Sequence, residues 1–164
     1  MKNIIWPANS IVINGQKWQH PDVYGISFDT RTIEPGDMFF AIKDVRDGHM
    51  YVQEAMIKGA ACAVVEQKIS ENDIVVNCVI EALAELAKLR RSMFKGIVVG
   101  ITGSVGKTTS KQMLARALTA AGKKVFATEK SYNNLLGLSY SLAQLPLDAE
   151  IAILEIRTSN PCLL

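Results

Sequence analysis

Cysteine, aromatic side chains and concentrated charge are all scarce in this sequence. The three cysteines, Cys62, Cys78 and Cys162, stand far apart and none has a C-x-x-C partner. That excludes a disulfide framework and a zinc-ligand pattern, and it fits reduced thiols serving as small buried apolar residues. The formal net charge is only +2, and basic residues gather no further than pairs such as Arg90-Arg91 and Lys123-Lys124. A duplex-binding face needs clustered Lys and Arg, so nucleic acid is not an expected partner. No apolar run reaches the length of a membrane span, and Met1–Ser10 lacks the apolar segment of a signal peptide. These absences leave a cytoplasmic protein, expected to be monomeric. What remains is 49% hydrophobic and 21% charged over 164 residues, enough for one good core or two small ones.

The densest information lies in Gly96 to Thr109, which reads GIVVGITGSVGKTT. Ile97, Val98, Val99 and Ile101 suit a buried parallel strand, and a helical pattern starts at Lys107. Between them, Thr102-Gly103-Ser104-Val105-Gly106 would turn backbone N–H groups inward, and the helix end adds partial positive charge. Lys107 would reach terminal phosphates, and the Thr108 hydroxyl would sit on a magnesium ion. The strict phosphate-loop pattern has a glycine separated by four residues from Gly106, where Ile101 stands; Gly103 makes this a shorter variant, T-G-x-x-G-K-T-T. A glycine–serine turn with a chance lysine is the bland alternative. The strand before it and the helix after it favour a nucleoside triphosphate site.

The chain reads as α/β, in two modules divided near Lys95. Residues 1–94 form a small mixed α/β module, with Ile11-Val12-Ile13 running into Asn14-Gly15 and a turn at Glu34-Pro35-Gly36-Asp37. Strands are expected at 38–42, 62–65 and 74–76, a short helix from Tyr51 to Gly59, and a second helix from Val79 to about Phe94 with Lys88, Arg90 and Arg91 in its last turns. Residues 95–164 read as the start of a parallel α/β unit. The strand 97–102 leads to a helix 107–121 burying Met113, Leu114, Ala117, Leu118 and Ala121; strands follow at 124–128 and 151–156, around a helix at 138–145. A three-stranded parallel sheet leaves strand edges and helix faces with little to cover them, so the sequence reads as the front part of a larger protein.

Two separated stretches resemble the Mur ligase family, ATP-dependent amino-acid-adding enzymes of peptidoglycan synthesis. One is Ser27-Phe28-Asp29-Thr30-Arg31, with Pro35-Gly36-Asp37-Met38-Phe39-Phe40-Ala41, Asp47-Gly48-His49 and Gly59-Ala60, similar to the family's uridine-nucleotide module. The other is the phosphate loop with Asn133-Asn134-Leu135-Leu136-Gly137 and then Glu155. The resemblance implies that Ser27, Asp29, Thr30, Arg31, Asp47 and His49 hold the uridine precursor. It implies ATP at Thr102, Gly103, Ser104, Val105, Gly106, Lys107, Thr108, Thr109, Asn133 and Asn134. It also gives Lys107 and Glu155 catalytic roles, with Mg2+ on Thr108 and Glu155. The double asparagine favours the member whose substrates are UDP-N-acetylmuramoyl-tripeptide and D-alanyl-D-alanine, joined through an acyl phosphate. Each residue also has a plainer reading. S-x-D-T-R can be a turn with an internal ion pair, His49 a structural histidine, Asp47 a turn cap, Glu155 a lone strand-end carboxylate, and the asparagines turn formers.

The tail departs from the family pattern. Arg157 stands where a glycine is usual beside the metal site, Cys162-Leu163-Leu164 replaces a Gly-Glu continuation, and Asp44 replaces another glycine. A truncated ligase, inactive by itself, is therefore expected. The alternatives are a non-catalytic nucleotide-binding remnant and an unrelated small P-loop NTPase or kinase.

Overall fold

Asn14 and Gly15 both take left-handed backbone angles, with φ of 50° and 78°. They reverse the chain between β1 (Val12–Ile13) and β2 (Gln16–Lys17), which pair antiparallel, as an Asn-Gly turn between two strands should. The computed structural model describes residues 3–44, 46–128 and 134–156. The chain divides into two compact units, Met1–Leu86 and Ala87–Leu164.

The first unit is built on four parallel strands, β3 (Gly25–Ser27), β4 (Asp37–Phe40), β5 (Cys62–Val65) and β6 (Asp73–Val75), ordered β3-β4-β5-β6. Every residue of β3, β4 and β5 is buried, as expected of parallel strands covered on both faces. The 3-10 turn Gly48–Tyr51 leads into helix α1 (Val52–Ile57). Val52 and Ala55 of α1 pack with Phe39, Ala41, Ala60, Ala63 and Val65, with Met56 partly buried at the edge. Gly59, at φ 94°, ends this helical segment in a conformation that suits glycine. Burial of the Cys62 thiol raises its pKa to about 12, so it is an apolar core residue rather than a nucleophile. Helix α2 (Val79–Met93) follows, and the division between the two units falls within it.

The second unit runs β7 (Ile97–Ile101), α3 (Lys107–Ala120), β8 (Val125–Ala127), α4 (Leu135–Ala143) and β9 (Ile151–Glu155). Its three strands are parallel in the order β7-β9-β8, so the last strand enters between the first two. β9 is buried along its whole length, whereas β7 is at best half-buried. Helix α3 ends where Gly122 N–H bonds Thr119 O and Lys123 N–H bonds Leu118 O, with Gly122 at φ 79°, a Schellman stop. Helix α4 starts earlier than its apolar pattern suggests, at Leu135, because the Asn134 side chain caps it.

One expectation is corrected in this unit. The apolar stripe of α3 is not its buried face: Met113 is 67% exposed, Ala117 and Ala121 are exposed, and Leu114 and Leu118 are half-buried. The buried residue of α3 is Lys111. Arg90 does stand in the last turn of α2, as expected. It is buried, its Nε donates to Leu145 O at 2.7 Å, and burial draws its pKa down to about 10.

Candidate functional site

In both units, the residues singled out by sequence lie where chains leave the carboxyl ends of parallel strands, the edge at which open α/β sheets receive ligands. In the second unit Ile101 is aligned with Glu155 across β7 and β9. The strand that enters the glycine loop therefore carries the carboxylate alongside it. The loop is exposed from Thr102 to Gly106. Gly103 and Gly106 take φ of 148° and 80°, and a Cβ at either would meet nothing closer than 3.8 Å. Glycine is required there by backbone conformation and not by crowding. Gly106 is the N-cap of α3 and has no side chain to cap it, so the first N–H groups of the helix stay available to an acceptor.

Lys107, the first residue of α3, curls back so that its Nζ donates to Gly103 O at 2.6 Å. Thr108 is half-buried, and its hydroxyl donates to Glu155 Oε2 at 2.9 Å. Ser104, Val105 and Thr109 are exposed around this pair. Asn134 sits at the start of α4, where its Oδ1 accepts the Gly137 N–H at 2.8 Å, so its placed role is a helix cap. Asn133 lies outside the described residues, as do Arg157 and the Cys162-Leu163-Leu164 tail.

Two residues that the sequence reading did not single out complete this cluster. Lys111 Nζ lies 3.4 Å from Glu155 Oε2, with side-chain exposures of 1% and 2%. The same ammonium donates to the Thr128 hydroxyl at 3.1 Å, just beyond the end of β8. Lys111 follows Thr108 by one helical turn and so shares its face of α3. The signal was present in that spacing, but a lysine amid an apolar stripe reads as solvated.

The chemistry of the donors suits magnesium held together with phosphates. Magnesium takes hard oxygen ligands, keeps several waters and uses only one or two protein groups beside substrate phosphates. Thr108 and Glu155 offer one hydroxyl and one carboxylate. Among the described residues, no group of three or more His, Cys, Asp or Glu side chains forms a self-sufficient metal site.

In the first unit, Ser27 ends β3 and is buried. Its Oγ donates to Asp29 O at 3.1 Å and accepts the Asp29 N–H at 3.2 Å. Arg31 closes a fork on Asp29, Nε to Oδ1 at 2.9 Å and Nη2 to Oδ2 at 2.6 Å, while its side chain stays 86% exposed. The buried Thr30 presents its carbonyl to Lys58 Nζ at 2.8 Å. Beyond β4, Asp47 caps the 3-10 turn by accepting the His49 N–H at 3.0 Å and the His49 ring at 2.6 Å. The backbone bond from His49, followed by the ring bond, holds the Asp47 carboxyl below its ordinary range. His49 Nε2 accepts the Glu66 N–H at 2.9 Å, so Nδ1 keeps the ring proton and donates a hydrogen bond to the Asp47 carboxylate. Both ring nitrogens are thus engaged within the unit. Gly48 is needed because a Cβ would fall 2.6 Å from Ile42 O. The segments carrying Ser27 to Arg31 and Asp47 to His49 follow two adjacent strands of one sheet.

Comparison with known proteins adds the following. The Mur ligase middle domain matches residues 101–161. UDP-N-acetylmuramoyl-tripeptide–D-alanyl-D-alanine ligase of Rickettsia prowazekii is 39% identical over 135 residues, covering 80% of this chain and 30% of the relative. The ligase of the same name from Bacillus subtilis is 33% identical over 165 residues, covering 97% and 36%. A crystal structure of MurF ligase from Thermotoga maritima in complex with ADP superposes with a TM-score of 0.70 at 35% identity, covering 84% of this chain and 33% of that one. The chain therefore spans about a third of the length of the relatives it matches. No helix among the described residues is long and apolar enough to cross a membrane.

Proposed function

This chain belongs to the Mur ligase family, and from that premise we propose that it supplies the precursor-binding and ATP-binding parts of a peptidoglycan amide ligase. The reaction is the addition of D-alanyl-D-alanine to UDP-N-acetylmuramoyl-tripeptide. The observation that carries this reading is the alignment of Ile101 with Glu155, which puts the Thr108 hydroxyl 2.9 Å from a carboxylate at the mouth of a glycine loop.

In this proposal residues 95–164 hold ATP. Loop amides from Gly103 to Thr109 take the phosphate oxygens, and Lys107 exchanges its bond with Gly103 O for a terminal phosphate. Residues 1–94 hold the uridine precursor. Arg31 would give up its exposed fork on Asp29 for a diphosphate, a planar match that lysine lacks. Ser27 and Thr30 shape the neighbouring turn, and Asp47 with His49 fixes the second segment. The terminal carboxylate of the tripeptide accepts the terminal phosphoryl group of ATP and becomes an acyl phosphate, with ADP leaving. The amine of D-alanyl-D-alanine attacks the acyl carbon, loses a proton and expels inorganic phosphate. Thr108 and Glu155 would hold magnesium, which supplies charge neutralisation on the transferring group. The loop's part is positioning and electrostatic stabilisation, with no proton transfer of its own.

The 164 residues alone are proposed to bind both nucleotides without ligating, because they correspond to 30–36% of the matched relatives. Calorimetric titration with UDP-N-acetylmuramoyl-tripeptide and with Mg-ATP tests this. Saturable binding of both is expected, with Lys107→Ala weakening ATP by about 10- to 100-fold, the loss of one charge-assisted bond. ATP binding without precursor binding would favour a generic phosphate-loop protein. Ligation by these residues alone would refute the claim of inactivity.

A further inference from the structure

The ion pair between Lys111 and Glu155 lies deeper than anything a phosphate-loop motif requires. A buried ion pair is poor evidence for stability, since apolar residues of similar volume often do as well. Its geometry suggests a different use. Glu155 Oε2 receives two donors from one face of α3, the Thr108 hydroxyl at 2.9 Å and Lys111 Nζ at 3.4 Å. Lys111 is itself tied to Thr128 Oγ1 at 3.1 Å. The ammonium thus joins α3 to the carboxyl ends of β8 and β9.

We infer that Lys111 is a positioning residue that, through Glu155, fixes which way the Thr108 hydroxyl points. A threonine hydroxyl has one proton and two lone pairs. With its proton committed to Glu155, the lone pairs of Thr108 are left for a cation at the loop. If the carboxylate swung away, the same hydroxyl would turn its proton elsewhere and become a poor metal ligand. Lys111 holds that carboxylate against such a swing, as outer partners hold the ligands of metal sites generally. The inference rests on the nucleotide-binding reading above and adds to it a residue that neither the loop motif nor the strand-end glutamate would reveal.

The test measures ADP affinity of the full chain by calorimetry, once with Mg2+ and once with EDTA, and takes the ratio. Lys111→Met is expected to lower the magnesium enhancement by about 10-fold, the lower end for loss of an outer-shell partner. In a Thr108→Val background the same substitution should change the ratio no further, because both act through one hydroxyl. If Lys111→Met does not fold, Thr128→Val removes the ammonium's other anchor while keeping charge and volume, and a fall in the ratio of about 3-fold is expected. An unchanged or higher ratio in whichever variant folds overturns the inference. So does a parallel loss of both affinities that preserves the ratio, which is what mere loosening would give. Failure of the unsubstituted chain to bind ADP with Mg2+ present would instead sink the nucleotide-binding reading, and this inference with it.

Discussion

The two units present the same edge of the same kind of sheet and treat ionic groups there in opposite ways. In the first, the fork between Arg31 and Asp29 faces water, with Arg31 86% exposed. In the second, the pair between Lys111 and Glu155 is sealed at 1% and 2%. The first unit takes its rigidity from an apolar cluster around Phe39, Val52 and Ala63 and leaves this ion pair in water, although Asp37 at the start of β4 is buried. The second has a helix, α3, whose buried residue is a lysine, so polar contacts there do what packing does elsewhere. An exposed pair can be exchanged for a ligand at little cost, whereas a buried one fixes a geometry.

The sharpest way to break this contrast is to remove one cation from each pair. Lys111→Met should destabilise the protein by about 3–5 kcal/mol, because it strands a buried carboxylate. Arg31→Ala should leave the unfolding midpoint almost unchanged, because an exposed pair contributes little. Urea unfolding followed by circular dichroism measures both, and equal losses would erase the distinction. A smaller effect tests the packed character of the first unit. Gly48→Ala should cost about 1–3 kcal/mol, since its Cβ would press on the Ile42 carbonyl from 2.6 Å. A neutral result would mean that segment yields freely.

The smallest effect is a pH dependence. The Asp47 carboxyl is held below its ordinary value of 3.8 in the folded chain, first by the His49 N–H and then by its ring. A depressed folded value means that its stabilisation is complete above the ordinary range and is lost as pH falls through the lower one. Asp47→Asn should therefore melt below the unsubstituted chain at neutral pH, with the gap closing in acid. A gap independent of pH would show that the carboxylate charge is immaterial.

How far the sequence could be read depends on whether local chemistry or a distant partner decides each feature. The Asn14-Gly15 hairpin, the strands at 62–65 and 97–101, and the starts of α2 and α3 were legible because local chemistry determines them. Strand β3 was not, since Gly25-Ile26-Ser27 is too short to show a period and is absorbed into the Ser27 to Arg31 motif. The start of α4 was missed because its cap, Asn134, precedes the apolar pattern. The glycines of the loop announced their left-handed angles, and Lys107, Thr108 and Glu155 were picked out as a set. The buried face of α3 was misread because its apolar residues do not share one environment: Met113, Ala117 and Ala121 are exposed, while Leu114 and Leu118 are half-buried and Lys111 is buried. The burial of Lys111 and Arg90 was not legible. Their partners, Glu155 and the Leu145 carbonyl, come from later segments and no local pattern announces them.

Strand β9 has a last consequence. Ile151, Ala152, Ile153, Leu154 and Glu155 are all buried, so hydrophobicity cannot tell one face of the strand from the other. Sliding it by one position would keep it nearly as oily, yet it would carry the carboxylate to the opposite side of the sheet. The lysine and the glutamate therefore work as a key and its ward. They admit one alignment of the central strand and reject its neighbours, as a single polar residue sets the register of a coiled coil. A one-residue insertion in β9 would leave the composition of the core almost untouched and would still misplace the chemistry.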